Sequence, residues 1–231
     1  MAAPNSPRYG KGSPGSADTK HLFDYNCGVR YLLYITLPAR LAKLIAALAK
    51  IHPGHLPPVP HITLVGPREI ESVDRESQLV RALRATVRTF VPSPIAFDRI
   101  AYFGRKNYIY VVVRRTPWIA FWHKACERTV SRILKPSVYS WMRFHPHITL
   151  AAGLSEEEGD AVLQSLKARP FRGAFVCRQI LLVRQNSPGV PWQLVARFRL
   201  AEKSPLGASS PPTLSAIPLP SSHRERRFDG W

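Results

Sequence analysis

The pentamer Pro-His-Ile-Thr-Leu stands at residues 60–64 and again, letter for letter, at 146–150, in a 231-residue chain with only eight histidines. Its β-branched and apolar residues suit a strand. Side chains of a strand alternate between faces, so His61 and Thr63 share one face while Ile62 and Leu64 share the other. His147 and Thr149 stand in the same relation to Ile148 and Leu150. The aliphatic pair can anchor each copy in a core while the polar pair looks outward. The simplest fold for such a chain has two related halves whose pentamer strands meet at the centre. Two imidazoles and two hydroxyls would then face one space.

The flanking segments supply those halves. Arg30 to Pro38 reads as a buried strand stopped by proline. Ala39 to Ile51 places Leu41, Leu44, Ile45 and Leu48 at helical spacing, with His52-Pro53-Gly54 as its end. Residues 71–91 carry Leu79, Val80, Leu83, Val87 and Phe90 on one side of a second helix. Ile95 to Phe103 and Tyr108 to Arg114 form a hairpin across Gly104-Arg105-Lys106-Asn107. Thr116-Pro117 is a cap followed by proline in the first turn, opening a helix to about Leu134 in which Trp118, Phe121 and Trp122 are expected to be buried. Ser155 and its three glutamates open another helix, to about Ala168. Phe175 to Arg184 and Trp192 to Leu200 read as a last strand pair. The order is β-α-β-α-β-β-α-β-α-β-β: an α+β domain over residues 29–202, with two antiparallel sheets related by an approximate twofold. Residues 1–28 and 203–231, rich in Pro, Gly and Ser without periodicity, read as disordered tails.

Charge narrows the partners. The chain has 33 Lys plus Arg against 15 Asp plus Glu, and residues 29–202 alone hold 26 against 11, a net +15 within the domain. A field of that sign favours polyanions, nucleic acid and nucleotides foremost. No run of about 18 apolar residues marks a membrane span, and the first residues lack the apolar stretch of a secretory signal. Cys27, Cys126 and Cys177 lie far apart, without disulfide or zinc-site spacing. A cytoplasmic monomer without membrane contact and without cofactor is expected; its protein partners are not legible in the sequence. His52, His55 and His61 do not make a metal set, because the prolines among them stiffen the segment and no Cys, Asp or Glu completes it.

Imidazole titrates near pH 6.5, so at neutral pH one histidine can accept a proton while another donates one. Placed on either side of a phosphorus, the pair suits in-line displacement, one activating the attacking oxygen and the other protonating the leaving oxygen. Threonine hydroxyls beside them can donate to the non-bridging phosphate oxygens. Such chemistry needs no metal.

The paired His-Ile-Thr-Leu motifs, 86 residues apart and each preceded by proline, resemble the signature of the two-histidine (2H) phosphoesterases, which include 2',5'-RNA ligase-like proteins and 2',3'-cyclic nucleotide phosphodiesterases. The resemblance covers about residues 29–202. It implies a bilobal, pseudosymmetric pair of sheets with a central cleft, His61 and His147 as acid and base, and Thr63 and Thr149 as phosphate contacts. The activity it implies is opening of 2',3'-cyclic phosphates or cleavage of 2',5'-linked RNA or nucleotides; the alternatives are an RNA 2',5'-ligase and a non-catalytic RNA-binding module. Ala151-Ala152-Gly153 departs from relatives that place a basic or aromatic residue there, which leaves that side smaller and less charged. Arg68, Arg143 and His145 flank the motifs as candidate substrate contacts, and Arg105 and Lys106 sit on the hairpin turn. Tyr102, Phe103, Tyr108 and Tyr110 either stack on a base or pack in the core.

Overall fold

The computed structural model describes residues 28–48, 59–104, 106–136, 143–167 and 171–201. Strands β1 (Arg30–Thr36), β2 (His61–Glu69), β3 (Ser93–Phe103), β4 (Tyr108–Val113), β5 (His147–Ala152), β6 (Gly173–Cys177), β7 (Gln179–Gln185) and β8 (Gln193–Arg199) alternate with helices α1 (Ala39–Leu48), α2 (Glu76–Val87), α3 (Pro117–Val130) and α4 (Glu156–Lys167). The strands form an antiparallel sheet in the order β6-β3-β4-β5-β2-β1-β7-β8. The two expected sheets are thus two four-stranded halves, joined where β2 meets β5 through the pairing of Ile62 with Ile148.

Outward from that junction, the halves are β5-β4-β3-β6 and β2-β1-β7-β8. β1-α1-β2 in one half corresponds to β4-α3-β5 in the other. β3, which follows the first unit, crosses over to pair with β4, and β7 crosses back to pair with β1. This exchange explains a difference from the sequence reading. Phe175 to Arg184 is not one strand but parts of two: β6 lies against β3 at one end of the sheet and β7 against β1 on the far side of the junction, with Arg178 between them. Both pieces are apolar and strand-like, so alternation alone cannot reveal a change of partner.

Helical spacing puts the buried positions of each helix on one stripe. Ile45, Leu79, Leu83, Val87, Ile119, Trp122, Cys126, Val130, Val162 and Leu166 all join one cluster with strand residues such as Ile35, Ile62, Val111 and Ile148. The helices therefore cover one face of the sheet. A second, smaller cluster of Leu32, Tyr34, Leu181 and Val183, with Trp192 packed against it, receives nothing from any helix. The pentamer polar pairs share the parity of that second face.

Local signals hold at the helix starts. The Thr116 hydroxyl accepts from the Ile119 amide ahead of Pro117. Ser155 and Glu158 exchange side chain-to-backbone hydrogen bonds of 2.9 and 3.2 Å, a capping box. The predicted 71–91 helix begins instead with a 3-10 turn at Val73–Arg75, and α3 ends at Val130. Trp122 is fully buried, but Trp118 and Phe121 are 39% and 50% exposed; the buried stripe of α3 runs through Ile119, Trp122, Cys126 and Val130, and they stand off it. α4 approaches the β3–β4 turn so closely that a Cβ on Gly159 would lie 2.4 Å from the Lys106 carbonyl oxygen. The continuation of the first helix to Ile51, the tail expectations, Arg105, and His52 with His55 fall outside the described residues.

Candidate active site

β2 and β5 start at the two histidines themselves. Proline immediately before each ring fixes φ and removes an amide donor, and the carbonyl one residue further back is left to the imidazole. His61 Nδ1 lies 2.9 Å from the Val59 carbonyl oxygen, and His147 Nδ1 lies 2.7 Å from that of His145. A carbonyl only accepts, so in both rings Nδ1 carries the proton and donates it. Nε2 is then the lone-pair nitrogen of each neutral ring.

The junction brings these strands together. Carried one residue to either side of the Ile62–Ile148 pair, the antiparallel register sets His61 next to Thr149 and Thr63 next to His147 on the face away from the helices. The rings lie within electrostatic reach, since charge on His61 is one of the influences that lower the His147 pKa. Burial is the largest of them: it pushes His147 down to about 4, with the charge on His145 adding and the Nδ1 bond opposing. Burial also lowers His61, against its bond to Val59. Both rings are therefore neutral at pH 7.

His147 is half-buried, and aromatic rings account for its desolvation. Phe103, Tyr108 and Tyr110 stand edge-on to it at 5.7, 5.9 and 5.3 Å between centroids. Phe103 in turn stacks on Tyr110 at 4.2 Å. The Tyr108 hydroxyl hydrogen-bonds Thr149 Oγ1 at 2.7 Å and lies 3.5 Å from His147 Nε2. On the other side Tyr34 tilts against His61 at 4.8 Å. Thr63 is partly exposed, and its hydroxyl makes no hydrogen bond among the described residues.

The flanking candidates divide. His145 packs edge-on against Phe103 and Tyr110 and lies 6.4 Å from His147 between ring centroids; burial lowers its pKa, with Arg99 and Arg115 adding to the shift. Arg143 is exposed on the approach to β5. Arg68 does not join the group: its guanidinium turns to the helix-covered side, where it pairs with Glu127 and donates to Ser131 Oγ at 3.0 Å. Lys106 is tied to both carboxylate oxygens of Asp160 at 2.7 and 2.9 Å. Sequence reasoning left the aromatic residues between stacking and packing, and passed over Tyr34. The signal was present in the alternation Tyr108-x-Tyr110 and in Tyr34, whose strand pairs with a pentamer.

Residues 37–189 match the family model described as the 2'-5' RNA ligase superfamily. A Bacillus licheniformis protein named "Putative phosphoesterase" is 34% identical over 144 residues, which span 61% of this chain and 80% of that protein. Among solved structures, E. coli LigT complexed with 3'-AMP superposes with a TM-score of 0.55 at 19% identity, covering 75% of this chain and 98% of LigT. A Thermus thermophilus protein, TT0787, gives 0.53 at 14% identity, covering 74% and 97%. These structures share the fold.

Proposed function

The chain belongs to the 2'-5' RNA ligase superfamily, and from that premise we propose that it is a metal-independent phosphodiesterase opening 2',3'-cyclic phosphates or cleaving 2',5' linkages in RNA or nucleotides. His61 and His147 serve as the acid–base pair, and Thr63 and Thr149 as donors to the phosphate. The observation that carries this reading is the repeated anchoring: two imidazoles, each with Nδ1 committed to the carbonyl two residues before it, on strands that pair beside them.

In the hydrolytic direction, Nε2 of one histidine takes a proton from water as the water oxygen bonds to phosphorus. The ribose oxygen leaves opposite and takes a proton from Nε2–H of the other histidine. The pair ends with its protonation states exchanged. Because burial keeps both rings neutral in the free protein, the substrate anion itself must favour the one imidazolium the reaction requires. With a 5'-hydroxyl in place of water, the same transfers join its oxygen to phosphorus while the ribose 3'-oxygen leaves and takes the proton, so ligation uses the same residues. Structures of LigT with 3'-AMP, ATP and NADP+ support a nucleotide ligand for this architecture.

The test is turnover of an oligonucleotide ending in a 2',3'-cyclic phosphate, in EDTA, by the protein and by its His61→Ala and His147→Ala variants. Turnover by the unaltered chain and a loss of about 10²- to 10⁴-fold in each variant are expected. Full activity in both variants would remove the two histidines from the mechanism. Salt-sensitive RNA binding with no product from cyclic or 2',5' substrates would select a binding module instead.

A further inference from the structure

We propose a second, phosphate-binding site at the edge of the sheet: a trough between α2 and β8 that holds the backbone of an RNA strand whose end occupies the pentamer cleft. The choice of RNA rests on the phosphodiesterase reading; the trough does not.

A cavity of about 260 Å³ is lined by Arg84 and Val87 of α2, by Arg88 at its C-terminal cap, and by Arg197, Phe198 and Arg199 of β8. A second cavity between the same two elements, of about 250 Å³, is lined by Glu76, Ser77, Val80 and Arg81 of α2 and by Val195 of β8. Arg84 and Arg88 sit one turn apart, with Cβ atoms about 5–6 Å from each other. Arg197 and Arg199 lie on one face of an extended strand, about 7 Å apart, and their pairing with Leu181 and Gln179 makes it the face of the pentamer pairs. Arginines from two elements thus border the cavity, those of α2 on the helix-covered side and those of β8 on the face of the pentamer pairs. Arginine's planar fork suits phosphate oxygens.

None of these four guanidiniums makes a side-chain hydrogen bond or ion pair among the described residues. Elsewhere Arg75, Arg114 and Arg184 each hold a carboxylate at 3.0–3.1 Å. A plainer account is available for either wall alone. Arginines near a helix C-terminus are favoured by its dipole, and charges on β8, the last strand of the sheet, discourage pairing with another chain. Neither reason brings the two pairs around one cavity, where unbalanced like charges repel.

The chain's own tails carry no excess of negative charge. Residues 1–27 carry three basic and two acidic side chains, and 202–231 carry four and three. A flat anionic surface fits a recessed trough poorly, whereas a strand with one phosphate per nucleotide can lie in it. β1 and β7 separate β2 from β8, and three strand spacings are about 14 Å. A mononucleotide in the cleft is too short to reach; an RNA of several nucleotides spans the gap.

The experiment uses the full chain and a labelled single-stranded RNA of roughly 12 nucleotides with an ordinary 3'-hydroxyl, so that binding is read without cleavage. Fluorescence anisotropy is followed against salt for the unaltered chain and for two double variants of exposed residues, Arg84→Gln with Arg88→Gln and Arg197→Gln with Arg199→Gln. For each pair, Kd should rise roughly tenfold at 0.15 M salt, and the log–log salt slope should shallow by about 1.4, from about 0.7 per lost contact on single strands. Turnover of a cyclic mononucleotide should be unchanged in both, and KM for a long cyclic-phosphate-ended RNA should rise. RNA binding unaltered in both variants overturns the proposal. So does displacement of the RNA by inorganic tripolyphosphate at equal phosphate concentration, which assigns the trough to small anions. Binding to phosphatidylserine vesicles that both variants lose, with RNA binding intact, overturns it in favour of a membrane. Because the binding arm needs no product, an inactive cleft and an unused trough give different results.

Discussion

The half that carries His61 and the half that carries His147 repeat one another almost residue for residue next to the junction, and then diverge at one position. Thr36, Ile35 and Tyr34 of β1 pair with His61, Ile62 and Thr63. Val112, Val111 and Tyr110 of β4 pair with His147, Ile148 and Thr149. A bulge follows at the same place in both, so that Leu33 meets Val65 and Ile109 meets Ala151, with Leu64 and Leu150 the extra residues. One step further, Leu32 corresponds to Tyr108. Leu32 is buried in an apolar cluster with Tyr34, Leu181 and Val183. Tyr108 points a hydroxyl at Thr149 and His147. The equivalent parts hold the two histidines, and the unequal parts give the two rings different surroundings.

The largest expected effect tests the equivalence itself. If the halves share the chemistry evenly, His61→Ala and His147→Ala lose activity to a similar extent, about 10²- to 10⁴-fold each, and the double variant loses little more than either. Single-turnover rates of the three variants decide this. A loss confined to one ring would make the second histidine a fossil of the repeat. The junction comes next. Ile62 and Ile148 are fully buried and pair with each other, so Ile62→Ala and Ile148→Ala should each cost about 2–5 kcal/mol in denaturant unfolding. A much smaller cost on one side would mean that the halves are not equally dependent on the seam.

The histidine environments also make stability depend on pH, with a definite sign. In the unfolded chain His147 titrates near the ordinary 6.5, but in the fold at about 4. Between these values the unfolded state binds more protons, so this contribution is complete above pH 6.5 and is lost as pH falls toward 4. His61 is shifted in the same direction. His147→Asn should therefore flatten the dependence of unfolding free energy on pH in that window by up to about 1.4 kcal/mol per unit, one proton's worth. An unchanged slope would place the ring in water rather than behind its aromatic wall.

What could be read from the sequence was whatever repeats or obeys local chemistry. The pentamers disclosed the face shared by His61, Thr63, His147 and Thr149, because alternation in a strand is a property of the backbone. Thr116-Pro117 and Ser155 marked helix starts for an equally local reason. Partner choice was not legible. Whether Phe175 to Arg184 is one strand or two depends on β3 and β1, neither of them adjacent in sequence. Arg68 looked like a substrate contact because it is close to His61 along the chain; the carboxylate that claims it, Glu127, is 59 residues away. Tyr108 and Tyr110 stayed ambiguous because parity gives a face without saying what lies over it.

The smallest expected effect isolates the correspondence of Leu32 with Tyr108, where only the second half places a hydroxyl beside its histidine. Tyr108→Phe keeps the ring that stands edge-on to His147 and removes only the hydroxyl, which leaves Thr149 Oγ1 without its 2.7 Å partner. A hydrogen bond of this kind is worth about 1 kcal/mol net, so kcat/KM should fall roughly fivefold. Tyr108→Leu writes the first half's residue into the second and removes the ring as well. If the hydroxyl is what matters, by holding Thr149 toward a phosphate oxygen, the two variants lose similar amounts and the loss lies in kcat. If the ring matters, as a wall that keeps His147 dry or as a platform for a base, Tyr108→Phe behaves like the unaltered chain. Tyr108→Leu then either shifts the acid limb of the pH–rate profile toward 6.5 or raises KM alone. The direction of that split says whether the asymmetry between the halves serves the proton or the substrate.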